Sequence, residues 1–280
     1  MSWLTVIWSM CAAACGVMAV LALCIGLLGH QRRANLLVVA MAIGAGAVAL
    51  AEIVHMKGID PAAVDRTLRI SEWFLTALVL SIPWFVQVRF GTGRLWLAGL
   101  ATVTWMTAMV LTLVLPGGLT FSEVTGLTPR TTFWGESFMQ IDGIRSPLAI
   151  PADLTVVMIL AHTIDASIRL WRQPGRRRQA LLVGGSIVLF YVAAMAHVPL
   201  VDLGRLQVPY MIGLCFLPIV AALSLEMVFE VVASSRLSRE VAANEARWRA
   251  LLDNIRLVVI GTNREGILTV SYTHLRAHET

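Results

Sequence analysis

Two histidines and a glutamate lie near the ends of long apolar segments, where their side chains could exchange protons. Glu52 and His55 are three residues apart, so a helix would place them on one face, and His197 lies near the corresponding end of a later segment. Histidine titrates near neutral pH, and a neighbouring carboxylate favours its protonated form. We therefore predict that the three residues form a proton-sensitive site, with ordinary solvation of helix ends as the alternative.

Two further groups of ionisable side chains interrupt the apolar segments. His162 and Asp165 share a helix face deeper in one segment, where Asp165 could also pair with Arg169 four residues on. Ionisable residues inside a membrane are costly and therefore tend to mark function. Glu226 and Glu230 lie at the end of the last apolar segment, and we predict that they couple it to the next helix.

The sequence predicts neither a metal site nor catalytic residues. Four cysteines all lie within apolar segments: Cys11, Cys15, Cys24 and Cys215. The first two share a helix face and could bind a soft metal ion, but small packing residues are their expected role. The sequence contains no convincing set of nucleophile, base or phosphate-binding residues. We therefore expect the chain itself to catalyse nothing and to bind no cofactor.

The composition is that of an integral membrane protein. Apolar residues make up 58% of the chain and charged residues 14%, whereas soluble domains carry about 25% charged residues. A membrane helix needs about 20 apolar residues. Seven segments are candidates for spans: about 3 to 28, 35 to 56, 73 to 90, 95 to 115, 152 to 171, 180 to 202 and 208 to 232. The third is the weakest, because Pro83 and Gln87 interrupt it.

Arginine and lysine in the connecting loops predict the orientation of the spans. With the amino terminus outside, three short inner loops hold nine positive side chains: Arg32, Arg33, Arg89, Arg94, Arg169, Arg172, Arg176, Arg177 and Arg178. The longer outer segments hold six, mixed with acids. The positive-inside rule therefore predicts a cytoplasmic carboxyl tail. Basic loops against anionic lipid explain the net charge of +5, so we expect no nucleic-acid partner.

One outer connection, residues 117 to 151, is far longer than the turns between the other spans. Connections beyond about 15 residues are uncommon unless they are functional or disordered. Phe133, Trp134, Phe138 and Met139 could lie against the membrane surface or cap the bundle. Trp134 is therefore a candidate sensing residue, with a passive interfacial loop as an equal alternative.

A charged segment at residues 233 to 252 comes directly after the last apolar run and has the spacing of a helix seam. Its seam residues are separated by four, three, four and three positions: Leu237, Val241, Asn244, Trp248 and Leu251. That alternation is typical of two packed helices. We predict a cytoplasmic signalling helix that pairs in a homodimer and relays a small displacement. An ordinary amphipathic linker helix is the alternative.

The next segment resembles the opening of a PAS domain. Six residues match the helix signature of that family: Trp248, Arg249, Leu251, Leu252, Asp253 and Asn254. A strand at 258 to 260 and a turn at 263 to 266 come next, in the order of the family, whereas Arg256 and Asn263 depart from its usual residues. The resemblance implies that a truncated PAS start spans residues 253 to 269.

Residues 270 to 280, VSYTHLRAHET, resemble the conceptual translation of a sequencing adapter. Several polar residues break the alternation expected of a second PAS strand: His274, Arg276, His278 and Glu279. We therefore expect this tail to be an artefact, and we do not interpret the spacing of its two histidines as a metal site.

Seven spans, a linker helix and a PAS opening together resemble the sensory front of a bacterial membrane sensor histidine kinase. The resemblance implies a seven-helix bundle in the inner membrane, detecting a cue for a kinase output after the PAS domain. ATP, magnesium and a response regulator would be needed only by that output. A diguanylate cyclase or phosphodiesterase output is an alternative. A small-molecule transporter with a cytoplasmic tail is a different class, which explains the spans but not the PAS-like segment.

Overall fold

The computed structural model describes residues 2–28, 31–115, 117–254, 258–262 and 268–273. The helices in chain order are α1 (Trp3–Leu28), α2 (Arg32–Lys57), α3 (Pro61–Phe90), α4 (Leu95–Val114), α5 (Ala149–Trp171), α6 (Arg177–Gln179), α7 (Gly185–Asp202), α8 (Ile212–Cys215) and α9 (Leu217–Asn254). A π-helical turn, Ala180–Gly184, joins α6 to α7. The strands are β1 (Phe121–Thr131), β2 (Ser137–Arg145), β3 (Val258–Thr262) and β4 (Leu268–Thr273).

Seven helical segments of the described chain are long and apolar enough to cross a membrane. Each overlaps one of the seven segments predicted from the sequence, and α6, the π-helical turn and α7 together make up the sixth. The chain is therefore a predominantly helical protein of the multi-pass membrane type. Many large apolar side chains on these helices are exposed, as lipid-facing residues would be.

The third helix begins twelve residues before the predicted span at 73 to 90. Its start is set by local chemistry: the Asp60 side chain accepts a hydrogen bond from the Ala62 amide at 3.1 Å, and Pro61 occupies the first turn. The early turns of α3 are polar, which is why hydropathy alone missed them. Pro83 lies inside the helix and is buried, and α3 continues past it.

The long connection at 117 to 151 contains a β-hairpin, whereas the sequence predicted an outer loop in an all-α membrane domain. Strands β1 and β2 pair antiparallel with two irregularities in register. The turn is closed by Thr132, whose amide donates to the Glu136 carbonyl at 2.8 Å, and Gly135 adopts a φ of 91° there. The glycines and prolines of this segment mark bulges and turns within a hairpin.

The first three helices pack closely through small residues. A Cβ on Gly44 of α2 would lie 2.7 Å from the Phe74 carbonyl oxygen of α3, so only glycine fits there. Ala45 and Ala49 of α2 are fully buried, as are Trp8 of α1 and Leu78 of α3 to within a few per cent. Small residues let membrane helices approach closely. This packing fixes the position of α2, which carries Glu52 and His55.

The last predicted span and the predicted linker helix are one continuous helix. After the short α8 and one intervening residue, Phe216, helix α9 runs from Leu217 to Asn254. The chain divides into two compact units, Met1–Glu226 and Met227–Thr280, and the division falls within α9.

The second unit includes a small antiparallel hairpin. Its strand β3 contains the strand predicted at 258 to 260, and β4 continues to Thr273, beyond the predicted start of the tail at 270. The predicted turn at 263 to 266 and the tail histidines lie outside the described residues. One helix and one hairpin are common to many folds, so the PAS assignment stays a prediction.

Candidate functional site

Glu52 is a buried carboxylate held by donors from two other helices. Trp8 Nε1 of α1 donates to its Oε2 at 2.8 Å, and the Ile212 amide at the start of α8 donates to its Oε1 at 2.7 Å. The Gly213 amide lies 3.4 Å from both oxygens. Because both oxygens accept hydrogen bonds, the cost of burying the carboxylate is partly offset. Glu52 thereby joins α1, α2 and α8.

Helix α8 contacts its neighbours through its backbone as well. A Cβ on Gly213 would lie only 2.6 Å from the Ala49 Cβ, so α8 packs directly on α2. The Cys11 thiol of α1 donates to the Gly213 carbonyl oxygen at 3.1 Å. Three contacts therefore converge on one turn of helix, and that turn is separated from the start of α9 by Phe216 alone.

A small cavity lies beside Glu52, between α2 and the hairpin. Glu52, His55 and Met56 form one wall, residues 138 to 141 of β2 form another, and Tyr210 adds to a third. His55 is buried, and its Nε2 has no hydrogen-bond partner among the described residues. The cavity volume of about 20 Å³ is enough for one water molecule.

His197 lies behind a wall of the same cavity. Its Nε2 is 3.1 Å from the Pro209 carbonyl oxygen, and Pro209 lines the cavity together with Glu52 and His55. The predicted trio therefore meets at one end of the first unit, with His197 bonded to the 203 to 211 connection. No hydrogen bond between the three side chains occurs in the described structure.

Tyr210 also belongs to the connection formed by residues 203 to 211. Its hydroxyl donates to Asp202 Oδ1 at 2.5 Å. Burial, and then the hydrogen bond and negative charge of Asp202, raise the pKa of Tyr210, so its phenol stays neutral and remains a donor at physiological pH. The contact closes the connection between α7 and α8 beside the cavity.

The hairpin is fastened to the helices by two carboxylates that the sequence did not single out. Glu136 in its turn accepts hydrogen bonds from the amides of Trp3 and Leu4, at 2.6 and 3.0 Å, and so caps α1. Partial desolvation raises the pKa of Glu136, but these amide hydrogen bonds outweigh it and lower the pKa overall. At its other end, Glu72 of α3 accepts from the Thr120 amide at 3.0 Å.

Trp134 lies away from the cavity, in the exposed turn of the hairpin. It is 41% exposed and stacks edge to face with Phe133, which is 85% exposed, at 4.5 Å between ring centroids. Because neither ring lines the cavity, Trp134 does not share a site with Glu52. Of the aromatic residues that the sequence analysis named in this segment, Phe138 is the one that is buried and lines the cavity.

The other predicted pair, His162 and Asp165, lies toward the opposite end of the helices, where the arginines cluster. Asp165 pairs with Arg169 at 3.1 Å and with Arg94 at 3.5 Å. His162 is fully buried against Gly93. The predicted ion pair between Asp165 and Arg169 is thus present. Neither His162 nor Asp165 lines the cavity beside Glu52.

Glu226 of α9 lies at this arginine-rich end and is nearly buried. Its carboxylate pairs with Arg89 of α3 at 3.5 Å and with Arg178 of α6 at 3.8 Å. Arg176 donates to the carbonyl oxygens of Arg89 and Phe90, so it caps the end of α3 beside the ion pair. Glu226 therefore ties the start of α9 to two other helices.

The predicted relay residues all lie on α9. Glu226, with its ion pair, belongs to the first unit, and the other relay residues belong to the second. Glu230 is exposed, as is Asn244. The four apolar seam residues are more than half exposed: Leu237, Val241, Trp248 and Leu251. An exposed apolar stripe at heptad spacing is the surface that a second helix covers in a coiled coil.

No protein-family model matches the chain, and no curated protein is significantly similar to it. Among the described residues, no group of three or more His, Cys, Asp and Glu side chains is arranged to hold a metal ion. The geometry around Glu52 and α9 is therefore the basis for a functional proposal.

Proposed function

We propose that the chain is the membrane input module of a bacterial sensor histidine kinase. Glu52 and the hairpin lie at one end of the helices, and the cue is detected at that end. The module then passes a displacement along α9. The observation that carries this proposal is the contact between Glu52 and α8. A side chain that lines the cavity holds the amides of Ile212 and Gly213, and α9 begins at Leu217.

Glu52 acts as a coupling group because its hydrogen bonds depend on its charge and position. A cue that changes the protonation of Glu52 or shifts its side chain changes the hold on two α8 amides, since hydrogen bonds to a charged acceptor are roughly twice as strong as those to a neutral one. Packed helices respond to such a change by adopting a second discrete arrangement. The start of α9 is the element that then moves.

The ion pair at Glu226 provides a second hold on α9. Removing one partner of a buried ion pair typically costs about 3–5 kcal/mol, so the largely buried Arg89 favours one position of the helix, and the exposed Arg178 adds a weaker contact. Glu52 acts before the start of α9, and Glu226 acts roughly two and a half turns into that helix. Two holds on one helix allow a two-state displacement whose balance the cue sets.

The exposed stripe on α9 is the surface by which the displacement is read. Leu237, Val241, Trp248 and Leu251 would pair with the same residues of a second copy. A single polar residue in such a seam, here Asn244, fixes the register of the two helices. A homodimer with a defined register can transmit a rotation or a one-residue shift to a PAS domain.

The proposed orientation follows from the arginines. The end that carries Arg89, Arg176 and Arg178 faces the cytoplasm, and the hairpin faces outward from a bacterial inner membrane. A PAS domain and a kinase that uses ATP, magnesium and a response regulator would follow α9. A cyclase or phosphodiesterase output would use the same helix in the same way.

Cross-linking between copies tests the seam. In the full chain in lipid nanodiscs, with the exposed Cys24 replaced by serine, Leu237→Cys and Val241→Cys should form dimers with a short bis-maleimide. Arg239→Cys, two positions from each, is the matched control and should cross-link several-fold less. Equal yields at the three positions, or none at all, would sink the proposed dimeric relay.

A further inference from the structure

The cavity beside Glu52 is too small for an organic ligand. Sites for small molecules measure about 300–1,000 Å³, whereas this cavity holds about 20 Å³. A single ion or water molecule is the largest occupant that fits without moving the hairpin. A ligand of that size would act at the site of the proposed function, so its assignment rests on that function and deepens it.

Most polar groups of the cavity wall already have partners. Both oxygens of Glu52 accept hydrogen bonds, Gln140 Nε2 donates to the Val201 carbonyl oxygen at 3.3 Å, and Tyr210 donates to Asp202. His55 is the exception, because its buried Nε2 has no partner in the described structure, and the residue is only 8% exposed. Buried polar atoms are ordinarily partnered, so an unpartnered nitrogen on a residue that lines a cavity points to an occupant there.

Two methionines share the cavity with His55. Met56 follows it directly on α2 and is 7% exposed, and Met139 comes from β2 on the facing wall. Thioether sulfur is a soft, polarizable ligand. One imidazole residue and two thioether residues therefore line a cavity of ionic size, and they come from two separate elements of the fold.

We propose that His55, Met56 and Met139 form a binding site for a soft monovalent metal ion, with copper(I) as the biological candidate. Thioether ligands select copper(I), and imidazole suits copper as well. Calcium and magnesium require sets of oxygen ligands, and zinc sites are built from thiolate, imidazole and carboxylate groups. Both oxygens of Glu52 already accept hydrogen bonds, so His55 is the one such ligand that the cavity offers to zinc. The neighbouring Glu52 side chain, in its ionised form, would supply the compensating negative charge for a cation bound by three neutral ligands.

Such a site would explain how a cue reaches α8. An ion held by α2 and β2 draws the hairpin toward the turn of α2 that carries Glu52. Because Glu52 holds the amides of Ile212 and Gly213, a cation beside it also weakens its attraction for these donors. Binding at the cavity and release of α8 are thus linked through one carboxylate.

Metal binding to the full chain in nanodiscs tests the site directly. Copper(I), under anaerobic reducing conditions, is titrated in competition with a chromophoric copper(I) chelator, and silver(I) serves as a redox-inert second probe. The native chain should bind one equivalent of each. Met56→Leu and Met139→Leu conserve volume and should each weaken binding at least about ten-fold, since even indirect losses at metal sites cost 10- to 100-fold.

Met109→Leu is the matched control, because Met109 is a buried methionine of α4 outside the cavity. It should bind as the native chain does. The double variant Cys11→Ser, Cys15→Ser should also retain binding. Loss of binding in that variant but not in the methionine variants would assign the metal to the thiols and overturn the proposal. Absence of binding by the native chain would overturn it too.

The seam experiment separates this inference from the proposed function. If copper(I) binds as expected but never alters cross-linking at Leu237→Cys, the metal site stands and the relay fails. If the chain binds no metal while Glu52→Ala alters cross-linking, the relay stands and the metal site fails.

Discussion

The proposed coupling depends on the carboxylate of Glu52. Replacing it with alanine leaves the Trp8 indole and the amides of Ile212 and Gly213 without their acceptor. Each unsatisfied buried group costs about 1–3 kcal/mol. We therefore predict that Glu52→Ala lowers the free energy of unfolding by at least about 3 kcal/mol, measured by reversible unfolding of the first unit within the full chain in mixed micelles.

Glu123→Ala is the control for that measurement. Glu123 is an exposed glutamate of β1 at the same end of the helices, so its loss should change the unfolding free energy by less than about 0.5 kcal/mol. Comparable losses in the two variants would mean that the hydrogen bonds of Glu52 contribute little to the fold.

Glu136 should make the docking of the hairpin sensitive to acid. Desolvation acts to raise its pKa, but the amides of Leu4 and Trp3 lower it overall. A group with a lowered pKa contributes above the usual glutamate range and loses its contribution as pH falls through the lowered value. We predict that the Trp3 and Leu4 amides exchange hydrogen slowly at neutral pH and faster, after correction for intrinsic rates, in strong acid.

Glu136→Gln provides the comparison. The amide side chain retains one weaker acceptor oxygen and does not titrate, so exchange at Leu4 should be faster at neutral pH and no longer depend on acid. Identical pH profiles in the native chain and this variant would exclude the proposed role of Glu136.

Residue spacing alone predicted part of this chemistry. Glu52 and His55 were recognisable because ionisable residues interrupt an apolar segment. Its partners on α8 were not recognisable, because backbone amides 160 positions away leave no side-chain signal. Glu72 was missed because the predicted third span began one residue after it. Glu136 was missed because a carboxylate in a turn is ordinarily a solvated surface residue.

At the scale of elements, the close packing of α8 on α2 is the contact on which the proposed relay depends. A Cβ on Gly213 would lie 2.6 Å from the Ala49 Cβ and 3.0 Å from its Cα, so alanine must push α8 away. We predict that Gly213→Ala destabilises the first unit by about 1–3 kcal/mol and reduces cross-linking at the seam, measured by unfolding and by bis-maleimide yield.

Gly16→Ala is the matched substitution, because a Cβ on this α1 residue meets no heavy atom within 4 Å. Alanine is the better helix former, by up to about 1 kcal/mol, so this variant should be as stable as the native chain or slightly more stable. A loss in Gly16→Ala equal to that in Gly213→Ala would show that the effect is unrelated to α8.

The predictability of each element depended on how local its cause is. The seven apolar helices were evident from composition, because a membrane requires about 20 apolar residues whatever their partners. The hairpin was not evident, because its two strands pair within a segment whose glycines and prolines suggest a loop. The continuity of α9 was also evident, because the charged seam segment follows the last apolar run directly, and a change from apolar to charged residues near 232 changes the surroundings of a helix and not its backbone.

For the whole molecule, the two ends of the first unit carry different chemistry. The hairpin end holds Glu52, His55 and the cavity, and the opposite end holds Glu226 among arginines. A transporter would instead place its buried charges along a shared path near the midplane. The separation of the two groups, joined by α9 and α8, is what favours a relay over transport.

The proposed relay requires that a change at Glu52 alters α9 at the seam. The direct measurement is the distance between spin labels on Val241→Cys of two copies, in nanodiscs, by double electron–electron resonance. We expect one distance distribution for the native chain, a clearly shifted or two-peaked distribution for Glu52→Ala, and no change for Glu123→Ala. An unchanged distribution in Glu52→Ala, in chains that remain folded and dimeric, would contradict the relay.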